Sequence, residues 1–401
     1  MVPTKAIPLA APDIGDEERR LVDEVLRSRY LASGRYLDDF ENAMAERFGA
    51  RFAVGVSSGT AALHLAMIAA GVRDGDLVIT SPFSFIASAN AILYERGIPI
   101  FVDIDPVTLT IDPARTLQAI DDITRHRPGW RHLLPRTCNP TTSELRAVLP
   151  VHIFGRLAEM EEIVDASHAA NIPVIEDACE AIGAQADGVY AGRWGDAATF
   201  GFYPNKQITA GEGGMLLTDN EQWARLFRSL RNQGRSDDAQ WLRHDHLGFN
   251  YRLDEMSAAV ALAQLRRLDE LLKARDAVAR RYTDLLALVD GVTPLAPPRP
   301  GSTMSWFLYP IRVSEEIDRD RLMARLIERG VMTRPYFWPI HLQPLYRERF
   351  GFAPGDFPVA ERAGHTLMSL PLWPNLPESD IDYVCEVVAE EVEAVRETAA
   401  V

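Results

Sequence analysis

The chain of 401 residues is short of three things. It has three cysteines, Cys138, Cys179 and Cys385, widely spaced and odd in number, which excludes a disulfide framework or a zinc-ligand pattern and points to a reducing, cytoplasmic setting. It is short of positive charge: 42 Lys and Arg stand against 57 Asp and Glu, a formal net charge of −15. Such a balance excludes a general binder of nucleic acid or of anionic membrane surfaces, though a few local arginines can still hold a small anion. No apolar run approaches membrane-spanning length, and the proline-broken N-terminus is unlike a signal peptide. What is present, 47% hydrophobic and 25% charged residues, describes an ordinary globular protein, and the length permits a large domain with a smaller one.

Strand-like and helix-like stretches alternate. RFAVGVSSGTAALHLAMIAAGV from Arg51 reads as strand, turn and helix. LVIT (77–80), a helix through SFIASANAILYERG, IPIFVDID (98–105), AVLPVHIF (147–154), a helix after Glu159 and IPVIEDA (172–178) follow. This alternation predicts an α/β fold, a mostly parallel sheet wrapped by helices. The stretch 121–144, rich in Arg, Pro and Thr, reads as an exposed excursion. From Asp254 to Val289 helical spacing continues without Gly or Pro, as one long bridging helix. Beyond the Pro-rich linker 293–302, SWFLYPIRV reads as a strand and DRLMARLIERG as a helix, and a last helix starts near Ser379, together a small α+β domain. The expected division is an N-terminal segment 1–20, a large domain 21–255, and 256–401 for the bridging helix and small domain.

Three features carry chemistry. Ser57 to Leu63, SSGTAAL, puts small and hydroxyl residues where a strand becomes a helix, so free amides and the helix dipole converge as a phosphate seat. Asp177 ends a hydrophobic strand at the carboxyl edge of the sheet, where open α/β folds collect ligands, and a protonated pyridine nitrogen would partner it there. Lys206 follows an aromatic strand and Tyr203-Pro204 and precedes Gly211, Gly213 and Gly214, a setting that suits imine chemistry. Taken singly, these are a capped helix, a capping acid and a surface lysine. Their order, with 206 − 177 = 29 positions between acid and lysine, is what binds them together.

The chain resembles the DegT/DnrJ/EryC1/StrS family of sugar aminotransferases, of the fold-type-I aspartate aminotransferase superfamily. The resemblance runs in order through SGRYLDDFENAMAERFGARFAVGVSSGTAAL, FVDIDPVTLTID, VHIFG, VIEDACEAIGA, GFYPNKQITAGEGGM, GFNYRLDEMSAAVALAQL and TRPYFWPIHLQPLY. It implies a seven-stranded large domain and pyridoxal 5'-phosphate, cycling through its pyridoxamine form. It also implies that Lys206 bonds the cofactor, Asp177 holds its pyridine nitrogen, Gly59 and Thr60 turn around its phosphate, and Phe85 stacks on its ring. Asn250 corresponds to the residue that reaches the neighbouring subunit's phosphate, which implies a homodimer with shared sites.

Two positions depart from the family pattern: Gly201 stands where many members have a phosphate-binding Ser, and Glu180 where a Gln is common beside the cofactor's phenolic oxygen. A carboxylate there would have to be protonated or turned away. The implied reaction takes an amino group from L-glutamate to a nucleotide-linked keto-6-deoxy sugar. TRPYFWPIHLQPLYRERF resembles members acting at C4, with C3-keto sugars or cyclitols as alternatives, and Tyr336, His341 and Arg252 are candidate substrate contacts. The related sugar dehydratases have His in place of the lysine, and a non-catalytic regulator on this fold would be expected to lose Lys206 or Asp177. A dinucleotide-binding enzyme would want GxGxxG where SSGTAAL stands.

Overall fold

The computed structural model describes residues 6–138, 144–236 and 242–399. Seven strands make the principal sheet: β1 (Phe52–Val56), β2 (Leu77–Thr80), β3 (Ile98–Phe101), β4 (Leu145–Leu149), β5 (Ile175–Asp177), β6 (Ala197–Gly201) and β7 (Gly214–Thr218). Hydrogen bonding orders four of them β1-β7-β6-β5 and three β3-β2-β4. Parallel bridges Val148–Val174 and Val151–Asp177 join the two groups into one sheet. Only β7 runs against its neighbours, so its first residue, Gly214, stands in register with Val56 and Gly201, the last residues of β1 and β6. The carboxyl ends of β1, β5 and β6 and the start of β7 therefore share one edge.

The strands are near-continuous apolar runs because helices cover both faces. Local sequence sets the ends of those helices: Ser58 caps Gly59–Ala69, Asp112 with Pro113 starts Pro113–Thr124, and Asn220 and Asp254 cap Glu221–Arg231 and Glu255–Arg266. A second antiparallel sheet of β8 (Val292–Pro294), β9 (Tyr309–Val313) and β10 (Leu367–Leu370) has its own core, in which Tyr282 and Tyr309 stack with ring centroids 4.9 Å apart. Ile7 joins it through a main-chain bridge to Val331. Among the described residues no helix is long and apolar enough to cross a membrane, and no cluster of side chains has metal-ligating geometry.

Several element boundaries differ from expectation, three of them informatively. The segment after Asp254 is two helices, Glu255–Arg266 and Leu268–Leu286; at Arg267 (φ −102°, ψ 7°) the amide turns back to Gln264 O and the guanidinium pairs with Asp13 and Glu270. Unbroken apolar spacing hides such a break. The excursion begins later than 121, since Pro113–Thr124 is helical. Arg136 then grips Asp356 through two bonds of 2.6 Å, and residues 139–143 of this stretch lie outside the described residues. The strand expected over 147–154 ends at Leu149, before Pro150, and 153–155 form a 3₁₀ turn.

Candidate active site

The turn after β1 is fixed from both sides: Ser57 N donates to Tyr251 O at 2.8 Å, and Ser58 Oγ accepts from Ala61 N at 3.1 Å. Gly59 and Thr60 are thus the first helical residues, whose amides have no intrahelical acceptor and sit at the positive end of the dipole. A Cβ on Gly59 would stand 2.8 Å from Cys179 Sγ and 3.2 Å from Gly201 Cα, so the close approach of three chain segments requires glycine there.

Asp177, 5% exposed, closes β5. Its Oδ2 accepts from Ser88 Oγ at 2.7 Å and its Oδ1 from Cys179 N at 3.2 Å; Ser84 Oγ lies 2.7 Å behind Ser88 Oγ. Among the described residues no cationic side chain forms an ion pair with it, an unusual state for a buried carboxylate. A protonated pyridine nitrogen would supply the missing charge, and this is the feature that fits pyridoxal phosphate. Lys206 follows β6 in a turn where its amide donates to Tyr203 O at 2.9 Å. Its Nζ lies 3.8 Å from the centroid of the Phe307 ring and 3.7 Å from Glu180 Oε1.

One cavity of about 440 Å³ collects Gly59, Thr60, Phe85, Asp177, Glu180, Gly201, Lys206 and Tyr336. Phe85 lines it with its side chain largely exposed, available to a flat ring. Glu180 is turned onto the main chain, Oε2 accepting from Phe154 N at 3.0 Å. Burial pushes its carboxyl above the usual range, although Lys206 and the Phe154 amide act the other way. Gly201 offers no hydroxyl; a Cβ there would meet Cys179 at an ordinary 3.6 Å, so space does not forbid a serine at this position. Burial pushes the neighbouring Cys179 thiol well above its ordinary value.

Three expected contacts fall outside this cavity. His341 is wholly buried, its Nε2 2.9 Å from Glu361 Oε1 and its ring packed on Phe357, and it does not line the cavity. Arg252 Nη1 donates to Asn232 Oδ1 at 2.9 Å, outside the cavity lining of its own chain. Asn250 is exposed and does not line the cavity of its own chain. Phe249 and Tyr251, stacked 4.9 Å apart, pack with His64, and the alternation of an extended chain turns Asn250 the other way.

Sequence reasoning missed Ser88, Asn205 and Phe307. Asn205 lines the cavity with a buried Oδ1 that has no hydrogen-bond partner among the described residues. Ser88 follows Phe85 by three positions, one helical turn, which could have linked it to the site. A global signal was also overlooked: of the 42 Lys and Arg only three are Lys, at 5, 206 and 273. Arginine cannot do imine chemistry at neutral pH, so a lysine kept amid so much arginine marks itself.

A seven-stranded α/β sheet with a lysine, a strand-ending aspartate and the free Gly59 and Thr60 amides of a helix start at one edge is the frame of a fold-type-I, pyridoxal-phosphate-dependent enzyme. The chain belongs to the DegT/DnrJ/EryC1/StrS aminotransferase family, whose sequence profile matches residues 12–389. It is 37% identical over 382 residues to GDP-perosamine synthase of Caulobacter vibrioides, covering 94% of this chain and 96% of that protein. It is 37% identical over 377 residues to a pleiotropic regulatory protein of Geobacillus stearothermophilus, covering 93% and 94%. Among solved structures, S. venezuelae DesV in complex with a ketimine intermediate superposes with a TM-score of 0.84 at 30% identity, covering 99% of each chain. The protein is accordingly a pyridoxal-phosphate-dependent sugar aminotransferase.

Proposed function

We propose that this protein moves an amino group from L-glutamate to C4 of a nucleoside-diphosphate-linked 4-keto-6-deoxyhexose, working in the cytoplasm as a homodimer with shared sites. The observation that carries the reading is the meeting of Lys206 and Asp177 on one cavity beside the Gly59–Thr60 seat. The similarity to a GDP-perosamine synthase favours C4. Pyridoxal phosphate, when bound, supplies a ring that accepts the electrons of a carbanion.

The protein's own groups do the rest. Asp177 keeps a proton on the ring nitrogen. The Gly59 and Thr60 amides take the phosphate, without help from a hydroxyl at Gly201. Phe85 covers the ring face. Lys206 Nζ, once free, takes the proton from the donor's α-carbon and later delivers one to the sugar carbon. Tyr336 lines the sugar side of the cavity, and Asn250, facing outward, serves the phosphate of a second copy. Residues 21–255 form the cofactor-binding domain in this reading, and 256–401 the bridging and small domain.

The test is spectroscopic. Wild-type protein with pyridoxal phosphate gains a visible band that L-glutamate bleaches, and the amine form then returns to the aldehyde form on adding a 4-keto sugar nucleotide. Recovery with a 3-keto sugar or a keto-cyclitol instead reassigns the acceptor. Absence of any band would overturn this reading of Lys206.

A further inference from the structure

Arg275, in the helix Leu268–Leu286, is 1% exposed, and among the described residues no carboxylate pairs with it. Its Nη1 donates to Trp306 O at 3.1 Å and to Phe307 O at 3.4 Å, and its Nη2 donates to Lys206 O at 2.9 Å. Burial pushes the guanidinium down to about 9, which leaves it charged at neutral pH. A buried cation with only carbonyls for company is a costly thing to keep. Its three acceptors belong to the lysine that bonds the cofactor and to the segment whose ring lies under that lysine's Nζ.

We propose that Arg275 is the positioning residue for Lys206: its planar fork locks the main chain of Lys206 to that of Phe307, so that Nζ is held over the Phe307 ring and aimed into the cavity. This rests on the reading of Lys206 given above. The neighbouring contacts form one mesh with it. Gln207 Nε2 donates to Glu180 O at 2.6 Å and to Ser305 Oγ at 2.8 Å, while Ser305 N and Phe307 N donate to Gly155 O and Phe154 O at 2.9 and 3.3 Å. Gly155 lies at φ +87°, where a Cβ would come within 2.5 Å of Trp306 N, so the 305–307 segment can dock only on glycine. Arg275 bonds the main chain of both the lysine turn and the 305–307 segment from one side chain, whereas Gln207 joins the two only through the Ser305 hydroxyl. Lysine could not replace it, because a single ammonium does not present the two arms that reach Lys206 O and Trp306 O together.

Full-length Arg275→Met and Arg275→Lys variants test this, with three readouts: the rate at which the visible band grows on adding pyridoxal phosphate, the pH midpoint of that band, and amide hydrogen exchange over 204–208. Arg275→Met is expected to slow band growth by about tenfold or more, shift the midpoint and speed exchange in 204–208. Arg275→Lys keeps the charge without the fork and recovers only part of the rate. A folded Arg275→Met protein with wild-type rate, midpoint and exchange overturns the proposal. Should Arg275→Met not fold, Arg275→Lys decides alone, wild-type behaviour in all three overturning it. If wild type itself shows no visible band, the reading of Lys206 has failed, whereas the exchange readout still tests the clamp.

Discussion

Two largely buried ionisable pairs each include a residue that the sequence marked for the site, and they differ in an instructive way. His341 and Glu361 approach to 2.9 Å, and Glu361 also accepts from Gly355 N at 2.8 Å. Lys206 and Glu180 are 3.7 Å apart, and the lysine's other neighbour is an aromatic face. The tighter pair is sealed among Phe352 and Phe357, while the looser one lines a cavity of about 440 Å³. Close partnership therefore marks support here. A reactive amine is the group left under-satisfied with room in front of it.

The largest effect that would sharpen this contrast is at Lys206. Lys206→Ala is expected to lose about 10³- to 10⁴-fold in the glutamate half-reaction, the scale of a missing proton-transfer group, while His341→Gln leaves that rate near wild type. Stopped-flow bleaching of the visible band measures His341→Gln; Lys206→Ala, which forms no such band, is followed by single-turnover conversion of glutamate to 2-oxoglutarate with added pyridoxal phosphate. Equal losses would break the distinction between the two pairs. Next comes Asp177→Asn, expected to cost about 10²- to 10³-fold in the same measurement, because the ring nitrogen loses its preorganised counter-charge although Ser88 still bonds the side chain.

Much of this was legible in order and spacing. Asp177 ends an apolar strand and Ser58 opens a helix, both local patterns, and the structure puts their neighbourhoods on one sheet edge. What stayed hidden is non-local. Arg275 reaches Lys206 across 69 positions, from a helix whose sequence reads as ordinary amphipathic surface and core. His341 lies in a stretch resembling substrate-binding segments, but whether its ring faces the cavity depends on Phe357 and Glu361, further along the chain and without a spacing rule. The Arg267 break left no Gly or Pro behind.

A smaller effect separates support from chemistry by stability. His341→Gln is expected to lower unfolding free energy by about 1–3 kcal/mol, the cost of leaving a buried partner unpaired. Burial holds the His341 imidazole below its usual range, despite the pull of Glu361 in the other direction. A base depressed in the folded state contributes stability that is present above the unfolded value of about 6.5 and is lost as pH falls through the folded value. Wild type therefore loses stability on acidification below pH ~6.5 more steeply than His341→Gln, in thermal melts of the two proteins side by side. Parallel curves would mean that His341 takes up its proton without hindrance and is not sealed.

The smallest expected effect lies at Glu180, and its sign is the informative part. An acid raised in the folded state contributes stability present below the unfolded value of about 4.3 and lost as pH rises through the folded one. Glutamine is always neutral and keeps the Oε2-to-Phe154 N acceptor role through its carbonyl. In cofactor-free protein, Glu180→Gln is thus expected to match wild type near pH 4 and to be the more stable of the two at pH 8. The opposite order at pH 8 would show that Lys206, 3.7 Å away, holds an ionised carboxylate in a net favourable pair. The two pairs would then be alike in kind, both closely partnered support, and the reactive character of Lys206 would have to come from the Phe307 face and the space before it rather than from a weak partner.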